Sequence, residues 1–268
     1  MPARPQDAAP FHALHRDFLI LPNAWDAASA RVMQDSGAKA IATSSAAVAW
    51  AHGYADGHHF PVAKLVAVVE EIARVVSVPI TTDAEGGYDD DPRRAAENVT
   101  ALINAGAVGV NIEDGKQPHE LHLKKIEAIR EAAVRAGVDL YINARTDVFL
   151  KKLVPPEEAV RETLRRAAAL KSAGASGLFA PAAIKSEDIA AIAEGAGLPL
   201  NVMAIPGVPN AADLKALGVK RLSAATAVFN AAIAGAREAA EDFLRTGDSA
   251  ELWQRRGSPP DYNKLFGG

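Results

Sequence analysis

Eight short apolar runs, nearly all ending in a polar or charged cluster, alternate with Ala-rich stretches of helical periodicity and predict a (β/α)8 TIM-type barrel. The length fits: 268 residues at 49% hydrophobic content suffice for one barrel with a sizeable core. A third observation is the placement of Asp, Glu, Ser and Arg just after the apolar runs. Barrels of this kind carry their reactive groups at the C-terminal ends of the strands. The pattern points to an enzyme.

In chain order the first runs are residues 18–21 into Pro22-Asn23-Ala24-Trp25-Asp26, 40–42 into Thr43-Ser44-Ser45, and 78–80 into Thr81-Thr82-Asp83-Ala84-Glu85. Residues 108–110 lead into Asn111-Ile112-Glu113-Asp114, and 140–142 into Asn143-Ala144-Arg145. The last three runs are 177–179, 200–203 and 221–223. Between them, stretches such as 66–76 and 156–169 have helical periodicity. Residues 1–14 read as a lead-in with one helical turn near 11–15. Past Ser223, residues 231–244 are strongly helical, 249–256 form a shorter helix, and 257–268 an irregular tail with Pro259-Pro260. No linker divides the chain. Residues 1–268 are therefore expected to form a single barrel domain, with 231–268 as a C-terminal helical extension and tail.

Bulk properties remove several function classes. A net charge of −4 offers no general attraction to nucleic acid or an anionic membrane surface. No apolar run approaches the ~20 residues a membrane span needs, and the first ten residues lack the apolar core of a secretory signal. With no cysteine there is no disulfide, thiolate metal site or thiol nucleophile. A soluble cytoplasmic protein is expected.

The third strand end carries the densest chemistry. Alternation puts Thr81, Asp83 and Glu85 on one face, and two carboxylates so placed repel unless a cation or proton intervenes. Gly86-Gly87 supplies a turn at which backbone can approach a ligand closely. Asp90 or Asp91 suits the cap of the next helix before Pro92, which frees Asp83 and Glu85 from that duty. By the same parity, Asn111 and Glu113 share a face and Asp114 points the other way. Asp56, in the loop after the second strand, is a fourth acidic candidate. Hard carboxylate oxygens without Cys or a clear His pair suit Mg2+ or Mn2+ rather than zinc. His52, His58 and His59 read as loop or surface histidines. Arg145 balances the cluster; its planar fork binds a carboxylate bidentately, with pairing to Glu113 or Asp147 as the structural alternative. Ser44, Ser45 and Ala46 offer hydroxyls and amides near a helix start, suited to an anion.

Together these residues resemble the isocitrate lyase/phosphoenolpyruvate mutase superfamily, over roughly residues 18–243. Pro22-Asn23-Ala24-Trp25-Asp26-Ala27 is similar to the family's first-strand segment and Thr43-Ser44-Ser45 to its substrate-carboxylate loop. Asp83-Ala84-Glu85-Gly86-Gly87-Tyr88 is similar to its Asp-x-Asp-x-Gly-Tyr metal motif, with Glu in the second acidic place. Asn111-Ile112-Glu113-Asp114 and Asn143-Ala144-Arg145-Thr146 match its next two strand ends. The resemblance implies Asp83 as direct ligand of Mg2+, with Asp56, Glu85 and Glu113 holding the metal's waters. It implies that Arg145 and the amides around Ser45 and Ala46 grip a 2-oxo acid. It also implies a homo-dimer or homo-tetramer in which the eighth helix is exchanged between subunits.

The chain departs from the family again in the loop after the fourth strand. The lyase branch carries a Cys-containing loop after the fourth strand, where this chain has the short stretch 115–124 and no Cys. The mutase and phosphonopyruvate hydrolase branch has a gating loop with Asn, but no Asn occurs between Asn111 and Asn143. The expected function is an Mg2+-dependent lyase acting on a small 2-oxo or 2-hydroxy carboxylate through an enolate-type intermediate. Glu113 and Asp56 join Arg145 as catalytic candidates, and His119, His122, Glu120 or Tyr54 as possible proton donors. The alternatives are phosphonate C–P hydrolysis or migration, with Lys116, Lys124 and Lys125 as phosphoryl candidates, and a binding protein without turnover.

Overall fold

The computed structural model describes residues 3–267 and contains one sheet of nine parallel strands. All eight expected runs are strands. The ninth arises because Pro22 splits the first run into β1 (Leu19–Leu21) and β2 (Asn23–Ala24). Proline has no N–H to give a ladder, yet the Pro22 carbonyl still accepts from Ala42 N at 3.2 Å. β1 pairs with β9 (Arg221–Ser223), whereas β2 pairs with β3 (Ile41–Thr43). One run thus serves both ends of the sheet and closes the barrel. Between them β4 (Ile80–Asp83), β5 (Gly109–Glu113), β6 (Tyr141–Arg145), β7 (Gly177–Phe179) and β8 (Leu200–Met203) follow as neighbours in chain order.

Along β5 and β6 the even-numbered Val110, Ile112, Ile142 and Ala144 are wholly buried in the apolar core, which Leu102, Ile103, Ile126 and Ile129 of the surrounding helices share. The odd-numbered residues are polar at the strand ends and occupy the barrel interior. This split is what period-two alternation dictates when one face meets helices and the other meets a tapering mouth. The helices run α2 (Ala27–Asp35), α3 (Ser45–Ala51), α4 (Val62–Val75), α5 (Pro92–Ala105), α6 (His119–Arg135), α7 (Ala159–Ser172), α8 (Ser186–Gly195) and α9 (Ala211–Ala216). Asp91 caps α5 as expected, accepting from Arg93 N at 2.9 Å with Pro92 at the first helical position.

The lead-in is more than one turn. Helix α1 (Ala8–Leu14) seals one end of the barrel: Phe11 is fully buried, 5.4 Å from the Tyr141 ring, and His15 stacks on Tyr141 at 3.9 Å. Gly109 makes room for this plug, since a Cβ there would lie 2.6 Å from Phe11 and 2.8 Å from Thr81 Oγ1.

At the far end of the chain, α10 (Ala227–Thr246) begins before residue 231, and it is followed by α11 (Ser249–Arg256) and α12 (Tyr262–Phe266). Phe229 is the only buried residue of α10, packed edge-on to Trp25 at 5.2 Å. Beyond it the helix leaves the barrel, with Ile233 52% and Leu244 85% exposed. No helix among the described residues is long and apolar enough to cross a membrane.

Candidate active site at the barrel mouth

A cavity of about 230 Å3 opens at the C-terminal strand ends, bordered by His58, Glu85, Gly86, Glu113, Lys116 and Lys151 among others. A larger groove of about 820 Å3 runs along the outer faces of α5 and α6 and includes none of these residues. The chemistry lies in the smaller space.

Asp83 ends β4 and is oriented from two sides. Its Oδ2 accepts from Ser45 N at 3.1 Å and Ser45 Oγ at 2.9 Å, and its own amide donates to Thr43 Oγ1 at 2.9 Å. Ser45 therefore grips a carboxylate of the protein with both its amide and its hydroxyl. Ser44 caps α3 through a long contact of 3.5 Å to Ala47 N. Ala46, also buried, sits in the first turn of α3, where helix amides lack intrahelical acceptors.

Glu85 reaches the mouth by a route different from strand alternation. The strand stops at Asp83, and Glu85 takes a left-handed backbone with φ 47°, as does Tyr88 with φ 60°. Such conformations are strained for non-glycine residues. Glu113 N donates to the Glu85 carbonyl at 2.8 Å, tying this turn to β5. The residue is only 3% exposed; Oε2 accepts from His58 N, and Oε1 has no partner. Burial first, then Asp83, pushes Glu85 up to about 7. The Asp56 carboxylate, in the loop after α3, adds to that push and so stands within electrostatic range of Glu85.

Glu113 and Arg145 are register partners on β5 and β6, and their side chains meet at 2.7 Å. Burial raises Glu113 to about 7 even though Arg145 pulls it down. Arg145 also binds Asp147 through Nε at 2.7 Å and Nη2 at 3.2 Å. Burial works against its charge, but Glu113 and Asp147 outweigh burial and hold its pKa above the ordinary value. Both structural partners considered from sequence are thus present. Three of the five guanidinium N–H groups are engaged, which leaves two for a ligand.

Several residues stand elsewhere than sequence reasoning put them. His58, read as a surface loop residue, borders the cavity; its Nε2 accepts from Gly86 N at 2.9 Å, and burial lowers its pKa. The loop after β5 is shorter than 115–124, because α6 already begins at His119. His119 and His122 are buried beside Asp114 and do not border the cavity. Lys125 is buried as well and donates to the Gly86 carbonyl at 2.9 Å, bracing the turn after Glu85. Tyr54 is occupied by Lys64 at 2.8 Å. The Asp114 carboxylate is turned to Arg166 at 2.6 Å and Thr146 Oγ1 at 2.7 Å, the opposite side from Glu113 that parity required, although the residue still borders the cavity. Lys151 was missed: it enters from the loop after β6, which no strand pattern signals, and pairs with Asp147 at 3.1 Å.

The residues fit a hard divalent cation. Asp83, Glu85, Glu113 and Asp147 are four carboxylates against the two cations Arg145 and Lys151, and with Glu85 and Glu113 raised to about 7 a divalent cation would favour their ionised forms. Glu85 Oε1 is buried without a partner, and every acidic donor is oxygen, the ligand Mg2+ and Mn2+ prefer.

Comparison with known proteins agrees with this architecture. The phosphoenolpyruvate phosphomutase family matches residues 11–244. The chain belongs to that family. An uncharacterised Mycobacterium tuberculosis protein is 32% identical over 257 residues, covering 91% of this chain and 95% of its own. Among solved structures, a phosphonomutase-like protein of Burkholderia cenocepacia J2315 is 40% identical with a TM-score of 0.85, over 88% of this chain and 99% of that one. A 2,3-dimethylmalate lyase of the same superfamily is 26% identical with a TM-score of 0.84, over 97% and 95% of the two chains. This phosphomutase-family barrel is accordingly an enzyme of the isocitrate lyase/phosphoenolpyruvate mutase superfamily, whose members are lyases and mutases.

Proposed function

We propose that this enzyme is a cytoplasmic, Mg2+-dependent lyase that cleaves a C–C bond, or decarboxylates, next to the carbonyl or hydroxyl carbon of a small 2-oxo or 2-hydroxy carboxylate. The observation that carries this reading is the pairing of two cavity-lining carboxylates, Glu85 and Glu113, with Arg145, which touches Glu113 from behind the cavity wall and keeps two N–H donors beyond its bonds to Glu113 and Asp147. Asp83 would hold the cation directly, oriented by Ser45, while Glu85, Glu113 and Asp56 would hold its water shell. Bound there, the cation would stabilise negative charge developing on the enolate oxygen.

The protein's own residues supply the rest. Arg145 receives the substrate carboxylate on its two remaining donors, and the Ala46 amide at the start of α3 offers a third. Glu113, with a pKa near 7, is suited to holding or releasing a proton at neutral pH. His58 keeps Gly86 and Glu85 in place, so the turn that forms the cavity wall is set before a ligand arrives.

Phosphonate cleavage or migration is the second reading, favoured by Lys116 and Lys151 on the rim, where a phosphoryl group needs cations. Pyruvate or 2-oxo acid release with and without Mg2+ should be measured on oxaloacetate, 2-methylisocitrate, 2,3-dimethylmalate and phosphonopyruvate. Turnover of one of the first three supports the lyase. Turnover of phosphonopyruvate alone overturns it in favour of the second reading, and binding without turnover of any overturns both.

A further inference from the structure

We infer that Asp114, His119 and His122 form a second metal site, of structural type, suited to Zn2+ or a similar transition-metal ion. One ligand atom from each lies within 4.8 Å of the others, the only such three-residue group among the described residues. Their relative exposures are 1%, 7% and 0%, so the cluster is buried, with Asp114 at its edge beside the catalytic cavity. Within it, both ring nitrogens of His119 and Nδ1 of His122 have no hydrogen-bond partner. Polar atoms buried in that way are costly, and a metal ion is one group that satisfies them.

The surroundings match what a metal-binding histidine needs. His122 Nε2 meets the Ile112 carbonyl at 3.1 Å, so that nitrogen carries the proton and the Nδ1 lone pair, which has no hydrogen-bond partner, is free to ligate. A backbone carbonyl on the far nitrogen is the usual way of fixing a ligating imidazole. His119 and His122, three residues apart at the start of α6, share one face of the helix. Asp114 Oδ2 takes Thr146 Oγ1 at 2.7 Å and Arg166 Nη1 at 2.6 Å, while Oδ1 takes only the Asp147 amide at 2.8 Å. Oδ1 therefore retains a lone pair. Arg166 is shared with Glu162 at 2.7 Å, so its charge is not committed to Asp114 alone.

Two nitrogens and one carboxylate oxygen suit zinc rather than magnesium. Around a four-coordinate zinc with ligand distances near 2.0–2.1 Å, ligand atoms stand roughly 3.3 Å apart. Rotation of His119, whose ring nitrogens make no hydrogen bond, would ease contraction from the present spacing. The site would join the residue after Glu113 to the first turn of α6. It would thereby clamp both ends of the short segment whose Gly115, Lys116 and Gln117 border the catalytic cavity.

The test uses the full chain with the mouth blocked, either as Asp83→Ala or as wild type saturated with Mg2+, freed of other metals by a chelator. Calorimetric titration with Zn2+ should show one ion bound per chain. Co2+ in its place should give the intense visible bands of a four-coordinate nitrogen–oxygen site. His119→Ala should weaken Zn2+ at least tenfold, and His122→Gln should do the same, with circular dichroism confirming that each variant is folded. Absence of Zn2+ binding in both blocked forms overturns the site. So does undiminished binding in His119→Ala, which would assign the ion to surface histidines.

Discussion

Arg145 and Glu113 stand opposite one another on paired strands and touch at 2.7 Å, yet Arg145 also reaches forward to Asp147 on its own chain segment. A single guanidinium thus links two carboxylates around the same cavity. It organises the site as a strut and still keeps two donors for a ligand. Replacing it by Lys retains charge but loses the fork. Affinity for oxalate or pyruvate, measured by calorimetry, should fall by about 1.5–3 kcal/mol, and an unchanged affinity would remove Arg145 from the substrate site.

The carboxylate excess gives the next expectation. Asp83→Ala should abolish Mg2+ binding and activity, while the circular dichroism spectrum stays that of the folded barrel. The fold is expected to survive because Asp83 is only partly buried and contacts Thr43 at the end of β3 and Ser45 at the start of α3 rather than the apolar core. Wild-type Mg2+ affinity in this variant would mean that another residue is the direct ligand.

Acid sensitivity should trace in part to His15, remote from the mouth. Burial first, then Arg221, lowers its pKa to about 3. In the unfolded chain the group takes up a proton below about 6.5, while the folded state keeps it neutral. The unfolded state therefore binds more protons between those values, and stability declines as pH falls through that window. The loss is at most about 1.4 kcal/mol per pH unit. A His15→Phe variant, which keeps an aromatic ring over Tyr141, should show a flatter fall of Tm between pH 6.5 and 5. Parallel curves for the two proteins would place the acid sensitivity elsewhere.

The barrel plug makes Gly109 hard to replace. Gly109→Ala puts a methyl group against both Phe11 and Thr81. Overpacking of this kind costs about 1–3 kcal/mol, readable as a lower denaturation midpoint in urea. A midpoint equal to wild type would show that α1 is free to withdraw.

Beyond Phe229, several apolar residues of the C-terminal helices lack cover within the chain. Ile233, Phe243 and Leu244 on α10, with Trp253 on α11, are exposed. A helix so disposed needs a partner surface, and a second copy of the chain, exchanging this helix, is the proposed one. Light scattering should give a dimer or tetramer, and a chain ended at Ala231 should lose solubility. A stable monomer at micromolar concentration would sink the exchange and leave the mouth unaffected.

Strand ends were legible because alternation is local. Asp83, Glu113 and Arg145 could be placed at the mouth from period and position alone, and Asp114 could be turned away from it. The cap of α5 by Asp91 was equally readable, since it depends on the next two residues. Glu85 was assigned to the right place through the wrong geometry: a left-handed turn, held by Glu113 N and His58 N, does what strand parity was expected to do.

What the residue pattern decided, then, was the barrel, the order of its strands and which side chains end them, because burial of one face imposes a period of two within each strand. What required the folded chain was who touches whom between strands and loops. Ser45 meets Asp83 across 38 positions, His58 meets Glu85 across 27, and His122 turns to the Ile112 carbonyl instead of the mouth. Contacts of that kind depend on closure of the barrel and on loop paths, which no periodicity within a segment encodes.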